Sequence, residues 1–444
     1  MKYFKIFNTE EEYLEYAASF DFLTPNVSTL RDCTHTWITA EQHSFAEDYF
    51  TVESLEDNNT ITMTRTTGGG DIASYFVDVS TDDGETWETV EIPFIQQVND
   101  IVTLNTGEKA LFKFSSGGRL CRDAQSCMFI GSDQDFKVYG NVMSLSRTDF
   151  TGNTTAWDNE FVNLFSGSTH LVSAENLIIP STSTDFHCYC NMFKGCTSLE
   201  YPPSIYATNM STGACEYMFS GCTSLLKVPS MRTTEFSGHV AYRGMFEGCT
   251  SLTTVPSDYL SVMSIAGQEY ESMFKGCTSL TTAPELPATT FRSGGCYKSM
   301  FSGCTSLTTA PELPATTLTD GCYRDMFSDC TALTTVPSTL PATTMADNCY
   351  RSMFCRCTSL TAAPELHAST MAVSCCQYMF GECTSLITAP STISATTMAS
   401  GCCSHMFDKC TSLIATHNLL MNIIKVVTLE ELKIMRLKEI YHHC

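Results

Sequence analysis

Histidines and cysteines lie close together at three places in this sequence, where side chains of these types could bind zinc. These places are Cys33 with His35 and His43, His187 with Cys188 and Cys190, and the terminal residues His442, His443 and Cys444. A structural zinc site usually takes four ligands from two closely spaced pairs at a characteristic separation. None of the three clusters has a second pair at such a distance. The sequence therefore predicts no bound metal and no other cofactor.

Nucleophilic side chains are abundant, but their setting does not favour catalysis. No His or Asp interrupts the pattern of Ser, Thr and Cys to complete a catalytic triad, and GxSxG, GxxxxGK[ST] and HExxH are absent. Residues 68–71 (GGGD) lie between strand-like runs and precede no helix, so they do not predict a phosphate-binding loop. Ser80, Asp82, Gly84 and Trp87 match the Asp-box hairpin, a folded turn that does not catalyse. We therefore expect a protein that is not an enzyme.

The charge and hydropathy of the chain restrict its partners. Its formal net charge is −23, which opposes the basic surface that a nucleic-acid-binding protein needs. Charged residues interrupt each apolar run near the N-terminus, so we expect no secretory signal. No run approaches the roughly 20 apolar residues of a membrane span. The composition predicts no nucleic-acid partner, no membrane insertion, and a product that stays soluble unless it leaves the cell inside a larger particle.

A repeat dominates the second half of the chain. The dipeptide Met-Phe recurs every 26–28 residues from Met192 to Phe407, and a degenerate first copy begins at Leu164. The apolar positions of the best-preserved copy, 300–325, follow neither helical nor strand periodicity. A solenoid of about ten stacked rungs accounts for them, because each rung turns different segments inward. We interpret SLTTAPEL as an extended side, PATT as a turn, and GCYRDMFSDC as one or two helical turns. The predicted repeat core includes Phe274, Cys277, Leu280, Phe301, Cys304, Leu307, Phe327, Cys330, Leu333, Phe354, Cys357 and Leu360.

Most of the 24 cysteines belong to this repeat. Nine share one repeat position, and a second, less regular set follows the variable turn. Cysteines at a fixed repeat position typically serve as small buried apolar side chains, so we expect free thiols. Disulfides between the two sets are the alternative, and they require an oxidising compartment.

The repeat resembles a known family. Blocks of the form MFxGCTSLTTAPELPATT at 273–290, 300–317 and 326–344, the last with variations, are similar to the BspA-like leucine-rich repeats of gut Bacteroidetes and their phages. The likeness covers about 250 residues. It implies a surface or recognition protein without enzymatic activity.

The N-terminal region carries a second, shorter resemblance. The segment KIFNTEEEYLEYAASFDFLTPNVSTL within residues 1–30 resembles the opening of virion structural proteins from phages of gut Bacteroidales, the crAss-like phages among them. This resemblance implies a segment that anchors the chain to other virion proteins. From the residues themselves, Asn8 and Thr9 before three glutamates predict the start of a helix.

The predicted fold class is mainly β, in four parts. Residues 1–46 are the anchoring segment, and 47–145 form a β-sandwich, because strand-like runs there alternate with Gly, Asp and Asn turns. Residues 146–416 are the leucine-rich-repeat-like solenoid. Residues 417–444 are a helical C-terminal cap, because TLEELKIMRLKEI has helical apolar spacing.

Binding is best sought where the repeats differ. Polar residues that change between rungs of a constant frame are either neutral solvent positions or a recognition surface. The threonine pairs at 281–282, 308–309 and 334–335 are typical of extended edges and can also bind glycan or ice surfaces. The candidate recognition residues are Lys298, Arg324, Asp325, Arg351, Gln377, Tyr378 and His405.

Together these features lead to one functional hypothesis and two alternatives. The leading hypothesis is a phage virion protein (head fibre, capsid decoration or tail-associated) that displays the solenoid to a host-surface protein or glycan. Its partners would be other virion proteins and further copies of this chain in a homo-oligomer such as a trimer. The alternatives are a BspA-like adhesin on a bacterial surface and a protein-interaction scaffold.

Overall fold

The computed structural model describes residues 48–66, 74–93, 98–121, 127–150, 155–181, 183–391, 393 and 395–414, and the backbone of 4–7 and 37–40. Strands account for 26% of the chain and helix for about 1%, which confirms the mainly β class. Within these ranges, no helix is long and apolar enough to cross a bilayer. The predicted helix start at Asn8 and the predicted helical cap at 417–444 lie outside the described residues.

Two antiparallel strands belong to the predicted anchoring segment, and eight strands follow between residues 50 and 141. β1 pairs with β2, and β3 to β10 form most of two sheets whose buried faces belong to one hydrophobic cluster. Strand β4 alternates buried and half-buried side chains, as a strand with one buried face must. The bounds are β1 Phe4–Phe7, β2 Trp37–Ala40, β3 Phe50–Ser54, β4 Asn59–Arg65, β5 Tyr75–Ser80, β6 Glu88–Ile92, β7 Val98–Leu104, β8 Lys109–Gly117, β9 Met128–Ser132 and β10 Phe136–Asn141.

The larger sheet continues into the first repeat. Its strand order is β12-β10-β3-β8-β5-β6, where β12 is Leu171–Ile178, and the smaller sheet has the order β7-β4-β9. Strand β10 pairs antiparallel with β3 and parallel with β12. A 3₁₀ helix, Val142–Leu145, follows β10, and all four of its side chains are buried. Main-chain bonding therefore crosses the predicted boundary at 145.

Short parallel strands link successive repeats. β11, β13, β14 and β15 form one four-stranded sheet, and the later strands pair as β16-β17, β18-β19 and β20-β21. Isolated parallel bridges such as Thr282 with Thr309, and Thr309 with Thr335, continue the pairing. The bounds are β11 Thr155–Ala156, β13 Ser183–Thr184, β14 Asn209–Met210, β15 Glu235–Phe236, β16 Ser264–Ile265, β17 Thr290–Phe291, β18 Thr339–Leu340, β19 Glu365–Leu366, β20 Thr370–Met371 and β21 Thr397–Met398.

The segment predicted to form helical turns is a chain of tight turns instead. Every fourth residue from Gly295 to Gly303 has a φ value between 55° and 76°. The amide of Phe301 donates to the carbonyl of Met326 in the next repeat at 2.9 Å, while the amides on either side of it bond three residues back. An α-helix would direct every amide to a carbonyl four residues earlier. The helical prediction is wrong because half of these amides bond the neighbouring repeat.

The interior of the repeats consists of rows of identical side chains. Phenylalanine rings from Phe165 to Phe407 stack with centroids 5.2–5.7 Å apart and planes within 12° of parallel. Tyrosines from Tyr242 to Tyr350 form a second stack, at 5.6–6.2 Å, which the sequence pattern did not reveal. Every residue proposed for the repeat core is fully buried.

The nine cysteines at the shared repeat position also form a row. Each S–H donates to the carbonyl of the phenylalanine in the preceding repeat, at 2.9–3.2 Å. All the cysteines within the described ranges are free thiols. Burial raises the pKa of Cys222, Cys277 and Cys330 to about 12. These thiols stay protonated at neutral pH and act as packing and hydrogen-bonding groups.

Candidate binding face

All seven candidate recognition residues lie on one face of the repeats, in two adjacent columns. We call the first the charged column and the second the left-handed column, because its members have positive φ. From Asn191 to Tyr378, each amide of the left-handed column donates to a carbonyl of the charged column one repeat further on, as Asp325 does to Arg351 at 2.9 Å. The charged column is Cys190, Glu216, Arg243, Glu271, Lys298, Arg324, Arg351, Gln377 and Ser404. The left-handed column is Asn191, Tyr217, Gly244, Ser272, Ser299, Asp325, Ser352, Tyr378 and His405.

Ion pairs engage part of this face. Lys298 Nζ lies 2.7 Å from Glu271 Oε1, and Arg324 Nε lies 3.1 Å from Asp325 Oδ2. Arg351 forms no ion pair with any described residue, and half-exposed pairs such as these exchange readily with water. At the C-terminal end of the face, the rings of Tyr378 and His405 stack at 4.6 Å. The face therefore offers cations in its middle and an aromatic surface at one end.

A glycine-lined groove of about 500 Å³ runs beside the charged column. A close contact requires glycine at one of these positions, because a Cβ on Gly294 would lie 2.5 Å from the carbonyl oxygen of Asp320. No side chain fills the groove at these glycines, and Lys298 and Arg324 both line it. The remaining lining residues are His239, Gly267, Gln268, Ser293, Gly295, Asp320, Gly321 and Asn348.

The sequence located two of the groove residues and missed the others. Lys298 and Arg324 were found because they vary between repeats. His239, Asp320 and Asn348 lie just before or within the variable turn, where no repeat position predicts a shared surface. The glycines at 294–295 and 321 were the available signal, because other repeats carry larger residues at the equivalent position of Gly295 and Gly321, such as His187 and Val240.

A smaller pocket of about 300 Å³ lies where the larger sheet meets the first repeat. Two guanidinium groups lie close to the ring of Trp157, that of Arg119 at 5.5 Å and that of Arg147 at 4.1 Å. Arg147 also forms a buried ion pair with Glu160. Because Glu160 neutralises Arg147, Arg119 is the cation most available to a ligand here. These contacts can pack the first repeat against the larger sheet, and the same pocket can also hold a small ligand.

The threonine rows are engaged in bonds between repeats. The hydroxyl of Thr281 donates to the carbonyl of Thr253 at 3.2 Å, and that of Thr334 donates to the carbonyl of Thr308 at 3.3 Å. These hydrogen bonds join the extended segments of neighbouring repeats. They give the threonine rows a structural role.

The Asp-box residues form a closed turn between β5 and β6. Asp82 Oδ1 accepts from the amide of Thr86 at 2.9 Å, and Trp87 Nε1 donates to the carbonyl of Gly84 at 3.1 Å. Hydrogen bonds from Thr86 and Ser80 lower the pKa of Asp82 to about 2. The carboxylate of Asp82 therefore stabilises the turn through these hydrogen bonds.

Comparison of this chain with protein-family models, curated proteins and solved structures found no match.

One group of potential metal ligands forms within the described ranges: His187, Cys190 and Glu216, whose ligand atoms lie within 4.8 Å of one another. His187, Cys188 and Cys190 are close in sequence, but Cys188 does not belong to this group. Glu216 comes from the next repeat. The clusters at Cys33–His43 and 442–444 lie outside the described residues.

Proposed function

We propose that this chain is a non-enzymatic binding protein in which residues 146–416 form a leucine-rich-repeat-like solenoid. Amide-to-carbonyl bonds between repeats and the continuous phenylalanine and cysteine rows support this architecture, since each repeat buries its apolar side only against its neighbours. The β-sandwich at 47–145 holds the first repeat through the β10–β12 pairing. The solenoid is the displayed part of the molecule, and the charged column faces its ligand.

The groove beside the charged column is the observation that carries the binding proposal. It crosses five consecutive repeats, from His239 to Asn348, which corresponds to about 20 Å at the spacing of paired strands. The cationic groups of Lys298 and Arg324, the side-chain amides of Gln268 and Asn348, and the backbone of the glycines line it together with one carboxylate, that of Asp320. Such a surface suits an extended, hydroxyl-rich and acidic ligand. We assign it an acidic glycan of a host-cell surface.

Replacing both groove cations, as Lys298→Gln with Arg324→Gln, should weaken glycan binding at least tenfold, because charge-assisted hydrogen bonds contribute about 1.5–3 kcal/mol each. The measurement is binding of the full chain to an array of acidic and neutral glycans. The matched control is Lys194→Gln with Lys275→Gln, which removes the same charge outside the groove. Equal weakening by both double variants would show that net charge, and not the groove, governs binding.

We further assign the chain to the phage virion, on the resemblance of residues 1–30 to virion structural proteins. Mass spectrometry of purified particles should then detect the chain, and deletion of residues 1–45 should abolish its incorporation while the remainder stays folded. Normal incorporation of the truncated chain would contradict the anchoring role. Detection on intact bacterial cells without phage would favour the adhesin alternative instead.

A further inference from the structure

Three potential zinc ligands converge across two repeats near the start of the stack. His187 and Cys190 belong to one tight turn, in which the amide of Cys190 donates to the carbonyl of His187 at 3.1 Å. Glu216 enters from the next repeat, where its carbonyl accepts from the amide of Asn191 at 2.9 Å. The main chain therefore fixes the positions of all three residues before any ligand is bound.

The imidazole of His187 is positioned by a glycine. His187 has a φ of 51°, and its ring lies over Gly213 of the next repeat. A Cβ at Gly213 would lie 2.1 Å from the ring, so the ring can take this place only against a glycine. The histidine is thus held in one orientation, as a metal ligand must be.

The Nδ1 atom of His187 is buried and has no hydrogen-bond partner. It lies 3.4 Å from Oε2 of Glu216, close enough for an ion pair, but the two atoms form no hydrogen bond. Two ligand atoms about 2.0–2.1 Å from a tetrahedral zinc ion lie roughly 3.4 Å apart. The separation of these two atoms therefore fits a shared ion better than a direct bond.

The second oxygen of Glu216 has a separate partner. Arg243, one repeat further on, donates from Nε to Oε1 at 2.7 Å, and the carboxylate is otherwise nearly buried. This contact orients the carboxylate and leaves Oε2 facing His187. Partners of this kind, which hold a ligand without touching the metal, typically accompany protein zinc sites.

We propose that His187 Nδ1, Cys190 Sγ and Glu216 Oε2 bind one Zn²⁺ ion that joins two successive repeats. A thiolate, an imidazole and one carboxylate are ligands that zinc prefers, whereas Ca²⁺ and Mg²⁺ take oxygen ligands. The fourth position is left for water or for a group of a bound partner. His187 is 24% exposed, which gives the ion a route from solvent.

The test uses the full chain, freed of metal with a chelator and titrated with Co²⁺ and Zn²⁺. Cobalt should bind with a stoichiometry of one and show tetrahedral d–d bands with a thiolate charge-transfer band, which Zn²⁺ then displaces. Cys190→Ser should remove the charge-transfer band, and His187→Asn should weaken binding at least about tenfold, because one of three protein ligands is lost. Cys355→Ser, at another half-buried cysteine, should bind as the unmodified chain does.

Both ligand substitutions suit the fold. Serine stands at the Cys190 position in a later repeat, as Ser404, and Asn159 and Asn348 take the His187 position with positive φ. Alkylation of the unmodified chain gives an independent readout, since Zn²⁺ should protect Cys190 more than Cys355. Absence of saturable binding, or a charge-transfer band that survives Cys190→Ser, would show that His187 and Glu216 form a simple ion pair or that the ion binds elsewhere.

Discussion

Raising the pH above about 8.5, the ordinary thiol pKa, should unfold the repeats cooperatively, although neutral and mildly acidic solutions leave them stable. The cause is the cysteine row. Burial raises the pKa of Cys222, Cys277 and Cys330 to about 12 and raises that of the other row members as well. Unfolding exposes these thiols to water, where their pKa returns to its ordinary value.

The free energy of unfolding falls as the pH rises because the folded state binds the thiol protons more tightly than the unfolded state does. The folded state holds the thiol protons up to about pH 12, while the unfolded chain releases them above about 8.5, so stability is fully present below 8.5 and falls between these values. Each thiol lowers the free energy of unfolding by roughly 1.4 kcal/mol for each pH unit in this window. Nine thiols together remove on the order of 10 kcal/mol in one unit, comparable with the whole stability of a domain, about 5–15 kcal/mol.

Thermal melting followed by circular dichroism from neutral to alkaline pH, with reductant present, measures this effect. The melting temperature should be nearly constant below about pH 8.5 and then fall steeply. Proton release on unfolding, measured by calorimetry in buffers of different ionisation enthalpy, should rise over the same range. A melting temperature that stays constant well into the alkaline range would mean that the buried thiols do not govern the stability of the repeats.

Replacing Phe301 with alanine should lower the free energy of unfolding by about 3–5 kcal/mol, as removal of a buried phenylalanine does. Its ring is fully buried and stacks on Phe274 at 5.7 Å and on Phe327 at 5.6 Å. The cavity would therefore open between three repeats. Because each repeat is stabilised mainly by its neighbours, the loss should spread along the row.

Chemical denaturation of the variant, with hydrogen exchange to locate the loosened repeats, measures this loss. Phe301→Leu keeps most of the volume and should cost clearly less. Thr308→Ala, at an exposed position of the same repeat, should change stability by no more than about 0.5 kcal/mol. Equal melting of Phe301→Ala and Thr308→Ala would show that the phenylalanine row does not support the stack.

The repeat spacing and the inward side chains could be predicted from the sequence. A period of 26–28 residues with invariant Phe, Cys and Leu positions admits few arrangements, because each repeat must cover the apolar side of the next. Phe301, Cys304 and Leu307 are accordingly buried. The repeat period and the alternating strand-like runs between residues 47 and 145 also predicted the mainly β class.

The tight turns and the site geometry depend on contacts between repeats. The segment after Gly295 has apolar spacing compatible with a helix. It has positive φ at every fourth residue instead, because alternate amides of the segment donate hydrogen bonds to carbonyl groups of the neighbouring repeat. The tyrosine row could not be separated from the sequence pattern at Tyr297, Tyr323 and Tyr350, because each of these residues follows a cysteine that already accounts for a buried position.

The sequence by itself determined which residues are constant and which vary, and so the face on which Lys298 and Arg324 lie. Only the tertiary structure decided that glycines open a groove between them and that Glu216 meets His187 and Cys190. These contacts join residues about one repeat apart, and their geometry depends on the exact stacking offset. A sequence pattern records the period of a stack, but the distance between side chains across it is set by backbone hydrogen bonds between the repeats.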